Sequence, residues 1–204
     1  MQTHQAPSAR AVVILGGPYM TDLAGVLLLW DIDGTLVLHS PSSRDRHAYA
    51  VSTVTGEIVT PIEAGTGKTD RQIMMELFGT HQPNDDEISR AFAVIDAVTE
   101  QDLAQSPSIS LPGVVNVLRI LAARGVVHSV LTGNSPKRAE LKLRSAGLAN
   151  FFDLSSGFFG DKHENRLQLV ASAASSMAHR ERQPIIVGDT PRSEEHTSEL
   201  QSPD

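Results

Sequence analysis

The chain has 204 residues, no cysteine and a formal charge of −7 at pH 7. This length suits one domain, or one core with a smaller insertion, and it needs no disulfide to fold. The negative charge disfavours nonspecific binding to nucleic acid or to an anionic membrane, and no apolar run approaches the ~18 residues of a membrane helix. We therefore expect a cytoplasmic protein without nucleic-acid or membrane partners; the sequence indicates no particular oligomeric state.

The first 19 residues carry no clear pattern beyond one apolar run, Ala11–Leu15. Met20 stands a few residues before the first strong structural signal. We therefore expect residues 1–19 to be a non-native extension of a protein that begins at Met20; the alternative is a short disordered or strand-like arm.

An apolar run over Val26–Trp30 ends in two carboxylates, Asp31 and Asp33. Five consecutive apolar residues are too few for a membrane span and predict a parallel strand buried on both faces. Open α/β sheets bind ligands at the carboxyl ends of such strands. Gly34 permits a backbone turn directly after the pair, and Thr35 follows it. The pattern predicts a catalytic pair, in which one carboxylate attacks or holds a metal ion and the other moves a proton.

Residues 40–111 predict an insertion built from helices. Helical periodicity of apolar residues covers three segments, 44–53, 69–78 and 85–103. Three histidines lack the spacing of metal ligands and are expected at the surface or at the substrate rim: His39, His47 and His163.

The segment Gly65–Thr69 partly matches a nucleotide-binding P-loop. That loop needs a glycine five residues before Gly67, and the chain has Ile62 there. We therefore reject nucleotide binding and predict a flexible loop, followed by a helix that Thr69 caps. Lys68 in this loop either meets the anionic end of a substrate or is a solvated surface lysine.

From Leu111 onward, helices and strands alternate regularly. The predicted helices are 113–124, 135–146 and 165–177, and the predicted strands are 126–131, 151–154 and 184–187. Such alternation predicts an α/β fold with a doubly wound parallel sheet. The core would then comprise residues 20–39 and 112–191, on either side of the insertion.

The segment Asp31–Leu36, Asp-Ile-Asp-Gly-Thr-Leu, resembles the nucleophile motif of the haloacid dehalogenase (HAD) superfamily. The stretch Lys142-Leu-x-x-x-Gly-Leu and the pattern Gly-x-Phe-Gly over Gly157–Arg166 resemble a phosphoglycolate-phosphatase-like subgroup of it. The resemblance implies a Rossmann-like core with a small helical cap inserted after the first catalytic strand, at residues 40–111. A cap over the site would exclude water and select the substrate, so we expect specificity to reside in these residues. It also implies Mg²⁺ as the cofactor and a small phosphorylated substrate.

A second segment, Thr132-Gly-Asn-Ser135, follows a predicted strand and resembles the superfamily's phosphate-binding motif. A hydroxyl at a strand end, followed by glycine and a helix start, supplies side-chain and main-chain donors for a phosphate. The resemblance assigns this role to Thr132. We expect Gly133 to contribute to substrate binding, with Asn134 orienting the phosphoryl group, and Gly34 and Thr35 of the first motif are expected to bind substrate as well.

The segment Ile185–Thr190 resembles the Gly-Asp motif that contributes a magnesium ligand. Magnesium prefers oxygen donors, which the carboxylates of Asp31 and Asp189 and the main-chain carbonyl of Asp33 would supply, with water completing the shell. Family members commonly carry another acidic residue four positions later, where this chain has Ser193.

Three residues compete for the role of the cation that neutralises the nucleophile and the phosphate. Lys162 lies in the loop where the superfamily's lysine usually falls, and Arg166 begins the next helix, as in the subgroup pattern. Lys142 matches the subgroup too, but at two turns into its helix it is expected to point away from the strand end. We rank Lys162 and Arg166 together and Lys142 behind them, as a substrate-binding residue; the alternative for each is a surface position.

The resemblance implies a Mg²⁺-dependent phosphate-monoester hydrolase. In it, Asp31 attacks phosphorus to form an aspartyl phosphate, while Asp33 protonates the leaving alcohol and then activates water. A halide needs no proton to leave, so Asp33 disfavours a dehalogenase. A phosphomutase and a phosphonatase stay open, the latter with Lys68 as the lysine for a Schiff base.

The last residues differ from the rest of the chain. Positions 192–202 match what one reading frame of a widely used sequencing-library adapter encodes. We therefore expect 192–204 to be an artefactual tail on a protein cut near Pro191. A chain cut there is a fold fragment, and a catalytically impaired module that only binds ligands is the further alternative.

Overall fold

A computed structural model of the chain describes residues 12–13, 23–24, 26–38, 43–62, 67–177 and 184–189. The strands in these ranges are β1 (Val12–Val13), β2 (Leu27–Trp30), β3 (Val127–Thr132), β4 (Phe158–Phe159) and β5 (Pro184–Gly188). The helices are α1 (Ser43–Thr55), α2 (Asp70–Phe78), α3 (Asp85–Gln105), α4 (Val114–Ala122), α5 (Pro136–Ser145) and α6 (Arg166–Met177).

The strands form one sheet in the order β1-β5-β2-β3-β4. Strands β5, β2, β3 and β4 run parallel, and β1 pairs antiparallel with β5 at the edge. Trp30 at the end of β2 lies opposite Val130 of β3 and Val187 of β5. The residues that follow these three strands therefore meet along the carboxyl ends of the strands, as expected for a ligand site of an α/β protein. We call this side of the sheet the sheet edge.

Both faces of the sheet are covered, which explains why β2 is a continuous apolar run. Leu27 and Leu29 face an apolar cluster that includes Leu169 of α6. Leu28 and Trp30 face the opposite cluster, which α4 and α5 complete. Successive side chains of a strand alternate between faces, so each side of β2 has an apolar layer to pack against. The prediction of a doubly wound α/β sheet is confirmed.

Helices α1, α2 and α3 pack around an apolar cluster of their own, whose most buried members are Ala50, Val51, Ala91 and Ile95. Helix α3 begins at a capping box, in which Asn84 and Glu87 satisfy each other's main-chain N–H groups at 3.0 and 2.9 Å. We call residues 43–105, which contain these three helices, the insert. The three helices predicted between residues 44 and 103 are thus present, and in the described ranges no helix has the length and hydropathy to cross a membrane.

The strand predicted over 151–154 is wrong. The chain there forms two short 3₁₀ turns, and the strand lies later, at Phe158–Phe159, beside the end of β3. Asp153 accepts hydrogen bonds from the main chain and hydroxyl of Ser155 at 3.0 and 2.6 Å. Such local bonds compete with pairing in a sheet, and they favour the turn over an extended strand.

Two predictions about the ends of the chain lie mostly outside the described residues. Of the expected extension 1–19, only Val12–Val13 is described, and it is a strand. The expected tail 192–204, together with His39 near the start of the insert, lies outside the described ranges.

Candidate active site

Asp31 lies directly after β2, at the edge of the sheet where three strands end. Its main-chain N–H donates to the carbonyl of Val187 at 2.8 Å, which continues the pairing with β5. One carboxylate oxygen accepts the N–H of Ile32 at 2.8 Å, and the other accepts Arg166 Nη2 at 2.9 Å. Arg166 begins α6, so this helix brings a buried cation onto the predicted nucleophile.

The surroundings of Asp31 raise the pKa of its carboxyl group. Burial is the largest cause, Arg166 opposes it, and the negative charges of Asp33 and Asp189 add to it. A carboxylate surrounded by other carboxylates and removed from water ionises less readily unless further positive charge arrives. A cation bound at this edge of the sheet would favour the ionised form.

Asp33 is held two residues later by a tight turn at Gly34. Gly34 has φ of 82°, and its N–H donates to the carbonyl of Val37 at 2.8 Å. The carboxylate of Asp33 accepts Lys142 Nζ at 2.8 and 2.6 Å and Asn134 Nδ2 at 2.8 Å. Burial pushes the pKa of Asp33 up, but Lys142 and Asn134 outweigh it and hold this pKa below its usual value.

Lys142 does not point away from the strand end, and that expectation is wrong. Its ammonium contacts Asp33 and lies 2.7 Å from Asn134 Oδ1, with the residue 4% exposed. Helical side chains lean toward the N-terminus of their helix. Since α5 starts just after β3, the side chain of Lys142 reaches back to the carboxyl ends of the strands. Burial lowers the pKa of Lys142, while Asp33 counteracts it.

In the loop after β3, the side-chain amide of Asn134 joins Asp33, Lys142 and Thr132. Thr132 is fully buried, and its hydroxyl oxygen accepts Asn134 Nδ2 at 2.7 Å. The same amide contacts Asp33 and Lys142, so Asn134 is the centre of the arrangement. The predicted residues Asp33, Thr132, Asn134 and Lys142 are therefore brought together in one network.

Gly133 lies against the insert. A Cβ atom built on it would stand 2.5 Å from the carbonyl oxygen of Lys68, so only glycine allows the two backbones this close. The Lys68 side chain itself pairs with Glu76 Oε2 at 2.5 Å. The backbone of the predicted loop thus borders the site, and the role of the lysine in substrate binding stays a prediction.

The structure also gives the positions of two further residues predicted for the site, Lys162 and Thr35. Lys162 is exposed, and the cations that contact Asp31 and Asp33 in the described ranges are Arg166 and Lys142. Thr35 is partly buried in the turn that follows Asp33, with its main-chain N–H 3.4 Å from the carbonyl of Ile32.

The carboxyl ends of the strands offer oxygen donors of the kind that magnesium prefers. Within the described residues, no three acidic or histidine side chains form a ready metal cluster. The predicted set needs only two carboxylates, from Asp31 and Asp189, and the carbonyl of Asp33, because magnesium usually retains several waters. Asp189 follows β5, the strand beside β2, and its negative charge contributes to the raised pKa of Asp31.

A buried cluster of charged side chains lies beside the site and was not predicted from the sequence. Arg138 of α5 forms an ion pair with Asp70 of α2, and His47 Nε2 donates to the same carboxylate at 3.0 Å. His47 is 2% exposed, so its expected position at the surface or the rim is wrong. The spacing of two basic residues could have indicated this cluster, since Arg138 and Lys142 are four residues apart and therefore share one helix face.

The sequence matches a family of known proteins over most of its length. The model of the haloacid dehalogenase-like hydrolase family matches residues 27–191. A curated relative, "Probable phosphatase IndB" of Dickeya dadantii, is 30% identical over an alignment 143 residues long, which covers 64% of this chain and 58% of that protein. The chain thus matches less than two thirds of this relative's length.

Solved structures share the fold at low sequence identity. A candidate phosphoglycolate phosphatase from Lactobacillus plantarum superposes with a TM-score of 0.56 and 19% identity, over 88% of this chain and 83% of that one. CbbY from Rhodobacter sphaeroides, solved with phosphate, gives 0.51 and 17%, over 78% and 76%. Together with the family match over residues 27–191, these findings show that the chain belongs to the haloacid dehalogenase-like hydrolases.

Proposed function

We propose that the chain is a Mg²⁺-dependent phosphate-monoester hydrolase that acts on a small phosphorylated metabolite. The observation that carries the proposal is the placement of two carboxylates, Asp31 and Asp33, each against its own buried cation at one edge of the sheet. The phosphatase name of the relative from Dickeya dadantii supports a phosphate ester as the substrate class. A neutral or cationic substrate would gain nothing from Arg166 and Lys142.

In the first step, an oxygen of Asp31 attacks phosphorus, and the bond from phosphorus to the alcohol oxygen breaks. The leaving alcohol takes a proton, and an aspartyl phosphate remains on the enzyme. In the second step, water attacks this phosphorus and loses a proton, so that inorganic phosphate leaves and Asp31 is regenerated. Arg166 beside Asp31 stabilises the negative charge on the transferring oxygens in both steps.

Asp33 and Lys142 together manage the proton. Lys142 Nζ lies within 2.8 Å of both oxygens of Asp33, so the pair holds one proton that either group can carry. This proton goes through Asp33 to the leaving alcohol in the first step and is recovered from water in the second. We expect the hydroxyl of Thr132 to bind a phosphoryl oxygen.

A magnesium ion would be held by the carboxylates of Asp31 and Asp189 and by the main-chain carbonyl of Asp33. When bound, it supplies positive charge to the phosphoryl oxygens. Phosphonate cleavage through a Schiff base stays the alternative; its candidate amine, on Lys68, is paired with Glu76 at the surface.

The test is the substitution Asp31→Asn in the full chain, assayed with p-nitrophenyl phosphate and magnesium. Loss of the nucleophile should lower kcat by about 10³-fold or more. Asp86→Asn is the matched control, since Asp86 lies on the surface of α3 and pairs only with Arg90 in the described contacts. A rate that Asp31→Asn leaves unchanged would contradict the proposal, as would full activity after chelation of all divalent ions.

A further inference from the structure

The junction between the insert and the sheet is closed by a buried carboxylate, Asp70. It is the first residue of α2 and is 4% exposed. One of its oxygens accepts both Arg138 of α5 and His47 of α1, which are 1% and 2% exposed. This carboxylate therefore links two helices of the insert to the helix that carries Lys142.

The second carboxylate oxygen of Asp70 and its main chain hold residues 133–135, which we call the phosphate loop. The N–H of Ser135 donates to Asp70 Oδ2 at 2.9 Å, and the N–H of Asp70 donates to the carbonyl of Gly133 at 2.7 Å. These two bonds lie on either side of Asn134. The hydroxyl of Ser135 also donates to Asp96 of α3 at 2.9 Å, so a second helix of the insert supports the same loop.

Asn134 cannot keep its contacts if this loop moves. Its amide group meets Asp33, Thr132 and Lys142 at 2.8, 2.7 and 2.7 Å. A displacement of about 1 Å at a catalytic group can reduce a rate about 100-fold. The position of the proposed acid–base residue therefore depends on a residue of the insert that does not contact it.

We propose that Asp70 is a positioning residue, which clamps residues 133–135 and thereby sets Asn134 against Asp33. The inference rests on the proposed hydrolase function. Both oxygens of the carboxylate are required, because one accepts Ser135 while the other accepts Arg138 and His47. An asparagine has one acceptor oxygen, so Asp70→Asn must give up one of these two sets of bonds.

The test compares Asp70→Asn with a substitution that weakens a partly buried ion pair elsewhere. Arg46 is 4% exposed and donates to Asp102 at 2.5 Å, between α1 and α3. Asp102→Asn therefore weakens a buried arginine's pairing inside the insert without touching the phosphate loop. Steady-state kinetics with p-nitrophenyl phosphate and hydrogen exchange of the Ser135 amide are measured on both variants and on the unsubstituted chain.

For Asp70→Asn we expect kcat to fall about 10–100-fold while KM changes by less than about threefold. The Ser135 amide should exchange about tenfold faster, because its acceptor is lost or displaced. Asp102→Asn should keep kcat within about twofold and leave the Ser135 exchange unchanged, since loss of insert stability alone does not move the loop.

Two results would overturn the inference: a kcat for Asp70→Asn within about twofold of the unsubstituted chain, or equal losses in both variants. If Asp70→Asn does not fold, Asp70→Asn/Arg138→Gln removes the unpaired buried cation and is judged by the same criteria. A chain with no hydrolase activity at all refutes the proposed function instead. Even in an inactive chain, an unchanged exchange rate of the Ser135 amide in Asp70→Asn refutes the positioning role of Asp70.

Discussion

Asp31 and Asp33 are two residues apart, yet their electrostatic surroundings differ. Burial and neighbouring carboxylates raise the pKa of Asp31, whereas Lys142 and Asn134 overcome burial and lower that of Asp33. Pairs of titratable groups with opposite shifts are typical of sites in which each group has its own role. Here the difference arises because Lys142 on α5, with Asn134, outweighs burial at Asp33, whereas Arg166 on α6 does not outweigh it at Asp31.

Replacing Lys142 should change both the rate and its pH dependence. In Lys142→Met, Asp33 loses the positive charge that lowers its pKa, so this pKa should rise. The acidic limb of the kcat profile should then move to higher pH, because the ionised form is lost sooner as pH falls. We expect kcat at pH 7 to drop about 10–100-fold, measured with p-nitrophenyl phosphate.

The control for this substitution is on the same helix. Lys137 is exposed and pairs with Glu140 at 3.4 Å. Lys137→Met should leave both the rate and the acidic limb unchanged. An acidic limb that stays in place in Lys142→Met would show that the two groups do not share a proton.

At the scale of elements, periodicity predicted all six helices of the described ranges to within two residues of their observed ends. Helix α5 was expected over 135–146 and is Pro136–Ser145, with Ser135 as its N-cap. The failure at 151–154 shows the limit of such patterns. Two phenylalanines and a leucine look like a short strand, but the bonds that Asp153 makes to its neighbours set the backbone.

The close approach of the loop at Gly133 to the insert predicts the effect of adding one methyl group. In Gly133→Ala the new Cβ would stand 2.5 Å from the Lys68 carbonyl, and backbone atoms on both sides must move. We expect a loss of stability of about 1–3 kcal/mol, as for other overpacked sites, and at least a tenfold lower kcat. Urea denaturation and steady-state kinetics measure the two effects.

Gly113→Ala is the comparison, because open space surrounds Gly113. Its φ of 86° makes alanine cost about 1 kcal/mol or more, but kcat should stay within about twofold of the unsubstituted chain. Equal kcat losses in the two variants would mean that the contact with Lys68 does not matter.

At the scale of the whole molecule, a buried histidine joins β2, β3 and α4. Trp30 Nε1 donates to His128 Nδ1 at 3.1 Å, and His128 Nε2 donates to the carbonyl of Leu118 at 3.2 Å. The ring is neutral in this arrangement, and burial lowers the pKa of His128. Protonation would remove the acceptor that Trp30 uses and place a charge inside the core.

Stability should therefore depend on pH through His128. Its pKa in the unfolded chain is about 6.5, above the folded value, so the unfolded state takes up the proton first as pH falls. Above that pH, His128 makes its full contribution to the free energy of unfolding. It should decrease by up to about 1.4 kcal/mol between pH 7.5 and 5.5.

The single tryptophan, Trp30, reports unfolding by fluorescence during urea titration at the two pH values. His128→Gln keeps an acceptor for Trp30 but does not titrate, so the difference between the two pH values should shrink. His81, whose side chain is 45% exposed, provides the control His81→Gln. A pH dependence that His128→Gln leaves intact would assign it to other groups.

The sequence by itself determined the strand ending in Asp31 and Asp33, the α/β order and the motif loops at Thr132 and Asp189. These are local properties, because a buried strand needs consecutive apolar residues and a helix needs periodic ones. Only the tertiary structure decided which cation meets which carboxylate. Lys142 is 109 residues from Asp33, Arg166 is 135 from Asp31, and Arg138 is 68 from Asp70. Such pairings depend on how α2, α5 and α6 pack, which no local pattern records.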